Sequence, residues 1–451
     1  MKKILLGGTA AFGLLCAGTA MSQDLAYSES VSKTETVVEA PAEPVSTAAK
    51  LTIGGSTTFH MSLFQQDANT AGGDAQGNAS SGVFPSGKGQ GYNFSLDDSF
   101  LDFTFAGKTE AGLDYKGRIN FTGQTGSSLA ENNYSTRSRV RQNYVELGFG
   151  GAVIQGGNLW GTDTTSINDG SAVMGGDGGF GSNWSSRFNE PFTEFGSTGN
   201  MIYGAYLGGG SQTATKVTVM TPTVMGFHAA ASFTPNTAHS GDIYQNNAAN
   251  QLGNQSSFSN GQTPAVNAIT PTAYFDQNHQ AYSLAFAEQF GDLNVSLTGA
   301  TVLSTKTKSS VPSGAAYEDT KGYMVGGVLS AYGLNLGVGY YDNKKTGVLS
   351  TDAALGKDGG KVFDAAIGWS YGPCSIAAGY LNGERNITDG KKATANIYSL
   401  TADMRIADGL TIYGDLNYAD MKDDSITDSV DGTNKSQNKG TVFLLGTRVT
   451  F

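Results

Sequence analysis

Three sets of side chains in this sequence have types and spacings that could do chemistry. Lys116 and Arg118 alternate with apolar neighbours, and Arg137, Arg139 and Arg141 recur at every second position. Asp163, Asp169, Asp177, Glu190 and Glu194 are spread through a glycine-rich stretch that contains GGDGGFG. His60 and Ser62 stand two residues apart. That last pair could act as base and nucleophile, but i, i+2 neighbours on a strand are common by chance. No acid stands at a telling distance from His228 or the loop histidines. An enzyme is therefore not expected. GGDGGFG and SGKGQG lack the strand-then-helix frame of a phosphate loop and read as turns. Asp423, Asp424, Asp428 and Asp431 could hold a divalent cation that bridges surface lipid; a solvated loop explains them more simply, so no metal site and no cofactor are assigned. What remains is fixed charge of both signs, whose use depends on the elements that carry it.

Those elements read as strands. The chain has 451 residues, with 63 glycines, 20 tyrosines and 23 phenylalanines but only 15% charged residues. Glycine and aromatics in short alternating segments fit an all-β chain with many turns. Leu51, Ile53, Phe59, Met61 and Leu63 oppose Thr52, Ser56, Thr58, His60 and Ser62. The same period of two places Lys116 and Arg118 on the polar face of their strand. Strands are expected at 51–64, 94–107, 110–122, 136–149, 151–159, 214–221, 226–234, 279–290, 292–302, 320–331, 333–342, 361–371, 374–383, 394–406, 410–420 and 440–451. The gaps between these sixteen strands alternate between short and long. Short turns at one rim, long loops at the other and an even count mark an outer-membrane antiparallel β-barrel. A soluble sandwich alternates too, but has no reason to alternate its loop lengths. Tyr323, Tyr340, Phe363, Trp369, Tyr371, Tyr380, Tyr398 and Tyr418 share the outward parity, as interfacial girdles require.

Residues 1–22 read as a secretory signal: Lys2 and Lys3, an apolar run, then Ala20-Met21-Ser22. A lipoprotein signal at Cys16 is the alternative, disfavoured by Leu15. After cleavage Cys374 is the one remaining thiol, so no intrachain disulfide is expected. Residues 23–50 are acidic, Ser/Thr-rich and carry two prolines, and read as a flexible periplasmic leader. The barrel would occupy 51–451. A formal charge of −11 argues against a nucleic-acid partner. It also hints at a preference for cations, weakly, because much of it lies in loops. The stretch 440–451 ends in mid-strand on Phe451, and its natural partner is strand one. Val449 and Phe451 then face lipid while Arg448 points into the lumen.

The signal, the segments RQNYVELGFGGAVIQGGNLWG (141–161) and KVTVMTPTVMGFHAAASFTP (216–235), and the terminal phenylalanine together resemble the Gram-negative general porins, those of alphaproteobacteria most closely. The resemblance consists of weak motifs in consistent order. It implies a sixteen-stranded barrel, a homotrimer in outer-membrane lipid, and passive diffusion of small hydrophilic solutes and ions. It also implies a third loop, here 160–213, folded into the lumen. Acids on that loop would face a basic wall cluster: Asp163, Asp169, Asp177, Glu190 and Glu194 against Lys116, Arg118, Arg139 and Arg141. Arg141 matches the pattern Arg-x-x-aromatic-x-x-Leu, although Val145, Leu147 and Phe149 share its parity and alternation alone would turn it to lipid. Asn158 departs from the arginine that relatives carry there. The terminal aromatic, with Val449, resembles the signal read by the outer-membrane assembly machinery. A substrate-specific channel or a structural, adhesive barrel is the alternative reading.

Overall fold

The computed structural model describes residues 49–67, 90–124, 137–182, 184–185, 188, 207, 214–237, 274–304, 306–309, 316–387, 390–425 and 436–451. Expectations for 1–22 and for the leader to residue 48 lie outside them. Four strands open the barrel: β1 (Lys50–Gln66), β2 (Gln90–Lys108), β3 (Asp114–Gln124) and β4 (Arg137–Phe149). Next come β5 (Ala152–Asn158), β6 (Thr215–Met220), β7 (Phe227–Asn236), β8 (Tyr274–Phe290) and β9 (Leu293–Leu303). The remaining strands are β10 (Lys321–Ala331), β11 (Leu334–Asp342), β12 (Lys361–Tyr371), β13 (Cys374–Asn386), β14 (Lys392–Ala407), β15 (Leu410–Asp423) and β16 (Gln437–Thr450).

Each strand pairs antiparallel with the next, and β16 pairs with β1 from Ser56↔Thr450 to Gln66↔Gly440, which closes the ring. A short strand, Lys306–Ser309, pairs with the start of β8 and so prolongs β9 past an irregularity at Asn278, where φ is +51°. It adds no new stave, so the barrel has sixteen. The hairpins at the short-turn rim use turns with positive φ, such as Gly150-Gly151 and Tyr332-Gly333, whose twist matches that of the strands they join.

The outward face is apolar along every strand, with Ile53, Val325, Val338, Ile367 and Ile376 among its exposed side chains. The expected aromatic residues fall on it in two belts. Trp369 and Tyr371 stack at 5.6 Å near the short-turn rim, and Tyr380, Tyr398 and Tyr418 follow one another at 5.0 and 6.2 Å near the other. The alternation that raises the parity conflict at Arg141 is interrupted there by a β-bulge. Asn120 pairs with Gln142 but the next residue, Phe121, pairs with Val140, so Arg141 is skipped and the alternation resets. Regular alternation cannot anticipate such a slip, and this is where it fails.

At the seam, Gly55 and Phe451 exchange both backbone hydrogen bonds, at 3.0 and 3.1 Å. The Phe451 ring lies over Gly55, where a Cβ would meet its Cζ and the Phe100 carbonyl oxygen, each at 2.7 Å. Gly55→Val is expected to open the last pair of the seam and lower the temperature at which the folded barrel loses its fast mobility in detergent gels; an unchanged transition would show that the closure does not depend on this contact.

Candidate pore constriction

Between β5 and β6 the chain turns into the barrel. Asn158 and Thr215, the ends of this insertion, face each other in register, and Thr215 Oγ1 donates to Asn158 Oδ1 at 2.7 Å. A single helical turn, α1 (Thr162–Thr165), packs on β7, β8 and β9. Asn168 Nδ2 then reaches Thr298 Oγ1 on β9 at 2.8 Å. A 3-10 turn at Gly170–Val173 lies against β10, β11, β12 and β13, and a second at Gly179–Gly181 against β13, β14 and β15. The loop therefore runs along the inner wall from β7 to β15.

Its backbone needs acceptors, because a buried N–H left unpaired is costly. Wall side chains supply them. Gly170 N donates to Asp364 Oδ1 at 2.6 Å, Gly175 N to Thr401 Oγ1 at 3.1 Å and Gly176 N to Asp403 Oδ1 at 3.2 Å. Asp415 accepts from Asp177 N at 3.1 Å and from Gly179 N at 3.2 Å. Such close approach needs glycine on both sides. A Cβ on Gly175 would lie 2.0 Å from Asp403 Oδ1, and one on the wall residue Gly326 2.3 Å from the Asn168 carbonyl oxygen.

An apolar core completes the attachment. Phe180, Trp184 and Phe188 are buried among Leu381, Ile397, Met421 and Leu444, which all project inward from the wall. Trp184 Nε1 donates to the Phe180 carbonyl oxygen at 3.1 Å, so the indole buries no unpaired donor. Each large apolar side chain so covered is worth about 1.5–3 kcal/mol. This part of the lumen wall is thus packed rather than wetted.

The described loop acids are turned toward the wall. Asp169 is buried; its Oδ1 caps the first 3-10 turn through Ser171 N at 2.9 Å and its Oδ2 accepts from the Tyr341 hydroxyl. The Asp177 side chain is 1% exposed and lies 3.8 Å from Arg448 Nη2, which also donates to the Gly176 carbonyl oxygen at 3.2 Å and stacks on Tyr413. Asp163 is buried in α1. Glu190 and Glu194 lie outside the described residues. On the basic side, Arg118 Nε donates to both oxygens of Asp102 at 2.9 Å. Lys116, half-buried, stands in register between Ala106 and Glu146. The register pairs Arg139 with Thr122 and passes over Arg141; the side chains of both lie outside the described residues. Lys116 and Arg118 are therefore on β3, an arc of the ring apart from the one the loop covers.

Other charges also find definite places. Lys216 Nζ is buried and donates to the Leu159 carbonyl oxygen at 2.5 Å. Arg405 sits at a bulge before the β14–β15 turn and pairs with Asp408 at 3.0 Å. His60 Nε2 meets Ser95 Oγ at 2.6 Å, and Ser62 Oγ donates to the Asn93 carbonyl oxygen at 3.4 Å. Asp423 caps its own turn through Ser425 N at 2.8 Å, and Asp424 pairs with Lys422 at 2.6 Å. Asp428 and Asp431 lie outside the described residues. The residues that sequence reading passed over are the wall acceptors Asp102, Asp364, Asp403 and Asp415. For Asp364, Asp403 and Asp415 a signal was present: single acids in mid-strand beside small residues, as in Asp364-Ala365-Ala366 and Gly414-Asp415.

A model of the Gram-negative porin family matches residues 8–424. The chain belongs to the Gram-negative porins. Among solved structures, the anion-selective porin from Comamonas acidovorans superposes with a TM-score of 0.54 at 13% identity, covering 90% of this chain and 100% of that one. An uncharacterized protein of Rickettsia prowazekii (strain Madrid E) is 25% identical over 266 residues, 53% of this chain and 58% of that protein. A second, from Rickettsia typhi (strain ATCC VR-144 / Wilmington), matches with the same identity and coverage. The chain therefore spans little more than half the length of the curated relatives it matches.

The clamp can be tested in this porin without reference to transport. Asp415→Ala leaves two loop N–H groups without their acceptor, at about 1–3 kcal/mol each, whereas Asp415→Asn keeps an acceptor oxygen. The third loop of the folded barrel is expected to become cleavable by added protease in the alanine variant and to stay largely protected in the asparagine variant. Equal protection in both would show that the aromatic core alone holds the loop.

Proposed function

We propose that this porin lets small hydrophilic solutes and ions diffuse passively across the outer membrane, through the part of the lumen left beside the third loop. The observation that carries this reading is a closed sixteen-stranded ring with its third loop held against β7–β15, away from the wall that bears Lys116 and Arg118. In this proposal Lys116, Arg118, Arg139 and Arg141 form the basic side of the narrowing. Asp163, Asp169 and Asp177 hold the loop in place, and Glu190 and Glu194 supply the opposing charge. Opposed charges across a small aperture orient water and dipolar solutes, and a nonpolar solute must disrupt that order to pass.

We further propose a homotrimer. β5 and β6 have seven and six residues, fewer than the ~9–11 that a tilted crossing of the apolar layer takes. That low side of the barrel suits a protein neighbour better than lipid. Val449 and Phe451 are exposed on the outward face at the seam, accessible to an assembly factor that reads the closing strand.

Planar-bilayer recording tests the channel. Conductance is expected to rise in proportion to electrolyte and not to saturate with any sugar; block by one solute class would favour a substrate-specific channel, and no conductance a structural barrel. Arg118→Gln frees the Asp102 charge and is expected to shift selectivity toward cations, while the double variant Asp102→Asn, Arg118→Gln returns near the parent value. If the single variant leaves selectivity unchanged, Arg118 is not at the narrowing. Deleting Phe451 is expected to reduce the yield of inserted barrel several-fold while leaving the conductance of each inserted channel as it was; normal yield would remove the proposed role in assembly.

A further inference from the structure

One inward rank of polar side chains crosses the barrel wall from β3 to β7. Lys116 stands in register with Glu146, Glu146 with Gln155, Gln155 with Thr218 and Thr218 with Ser232. The far end of this rank lies under the third loop. Thr218 and Ser232 are 2% and 4% exposed, and Ser232 Oγ accepts from Thr162 N of α1 at 3.5 Å. Lys116, Glu146 and Gln155 stay half-buried, near the short-turn ends of β3, β4 and β5.

Lys116 and Glu146 carry opposite charges on one face of an antiparallel pair, where Cβ atoms lie about 4.5–5.5 Å apart. An ion pair between them would be the ordinary outcome, yet Lys116 makes none among the described residues. Glu146 turns to its other neighbour. Its Oε2 accepts from Gln155 Nε2 at 2.7 Å, which is its one hydrogen bond among the described residues. On the other side of Lys116 stands Ala106, which offers no partner. The next inward residue of β3, Arg118, gives its Nε to both oxygens of Asp102 at 2.9 Å, so that pair is closed. An ammonium and a carboxylate are thus left side by side on the lumenal face, kept from each other by a third side chain.

Such a pair is complementary to a molecule that carries both charges itself. A simple anion would gain from Lys116 and be repelled by Glu146, a simple cation the reverse, and an uncharged solute would gain from neither. An α-amino acid bears its ammonium and its carboxylate on one carbon, so the two can meet Glu146 Oε1 and Lys116 Nζ together. We propose that Lys116, Glu146 and Gln155 form a subsite for the zwitterionic head of α-amino acids. Lys116 takes the carboxylate, Glu146 takes the ammonium, and Gln155 is the positioning residue that prevents the two from neutralising each other. The subsite rests on the transport reading and names the solute class that the passage favours. Because the site is partly open to water, each contact changes occupancy by a factor of about two. Two contacts raise the local concentration of an amino acid, and so its flux, about fourfold over an uncharged solute of equal size.

Alanine and lactamide are isomers, one zwitterionic and one uncharged, and swelling of liposomes that hold the full-length barrel reads the entry of each. After correction for protein-free liposomes, alanine is expected to enter about fourfold faster than lactamide through the parent. Glu146→Gln keeps an acceptor for Gln155 and removes the charge, and Lys116→Met removes the ammonium; each is expected to lower the ratio to about two, and the double variant to about one. Gln155→Leu removes no charge but frees Glu146 to close on Lys116, and is expected to bring the ratio near one. Equal entry of both solutes through the parent, or a ratio that survives all three single variants, would overturn the subsite. Loss in Lys116→Met alone would make this wall an attractor of anions instead. Potassium chloride conductance in planar bilayers, recorded on the parent and each variant, separates this inference from the reading beneath it. Normal conductance with equal entry of the two isomers refutes the subsite and leaves transport standing, whereas a folded, heat-modifiable parent barrel that does not conduct refutes both.

Discussion

Every backbone N–H and carbonyl that faces hydrocarbon must find its partner within the protein, because the bilayer core offers none. A strand meets that demand only with neighbours on both sides, and a row of strands only by returning to its beginning. The β1–β16 pairing is therefore the interaction on which the remaining architecture rests. It continues over eleven residue pairs and ends in the reciprocal hydrogen bonds of Gly55 and Phe451. Once the ring is closed, each strand has one face that lipid must wet and one that it cannot reach, and outward Val, Ile, Leu and aromatic residues follow from that division.

The same rule, applied inside the ring, explains the third loop. A loop that leaves water and lies on a wall takes its own unpaired N–H groups with it. β-strand backbone cannot accept from them, since its carbonyls are used in the ladder. Side chains must do so, and Asp364, Thr401, Asp403 and Asp415 are the ones that do. Among the described residues of this attachment, the wall contributes acids and the loop contributes donors. Asp169 and Asp177 are used for capping and for the Arg448 contact, which leaves Arg118 with Asp102 as its partner on the opposite arc. A loop fastened by both hydrogen bonds and the Phe180–Trp184–Phe188 core behaves as part of the barrel wall, and its position sets how much lumen remains.

Sequence alone determined a good deal of this porin. Alternation with period two, turns that come short and then long, and aromatic residues on one parity specify a sixteen-stranded outer-membrane barrel, because each is a local consequence of a strand that crosses lipid. The placement of Arg448 in the lumen and of Val449 and Phe451 on lipid follows from the same count. What the period could not reach was decided by tertiary structure. The bulge at Arg141 depends on how two strands slip against each other, which no single strand encodes. The inward Leu444 and Val442 look misplaced in a polar lumen until the Trp184 core covers them. The destination of Asp169, Asp177 and Arg118 depended on which groups a folded loop brings within hydrogen-bond reach. Hydrogen bonds such as the one at 3.2 Å between residues 176 and 403 are contacts in space, and only the folded chain assigns them.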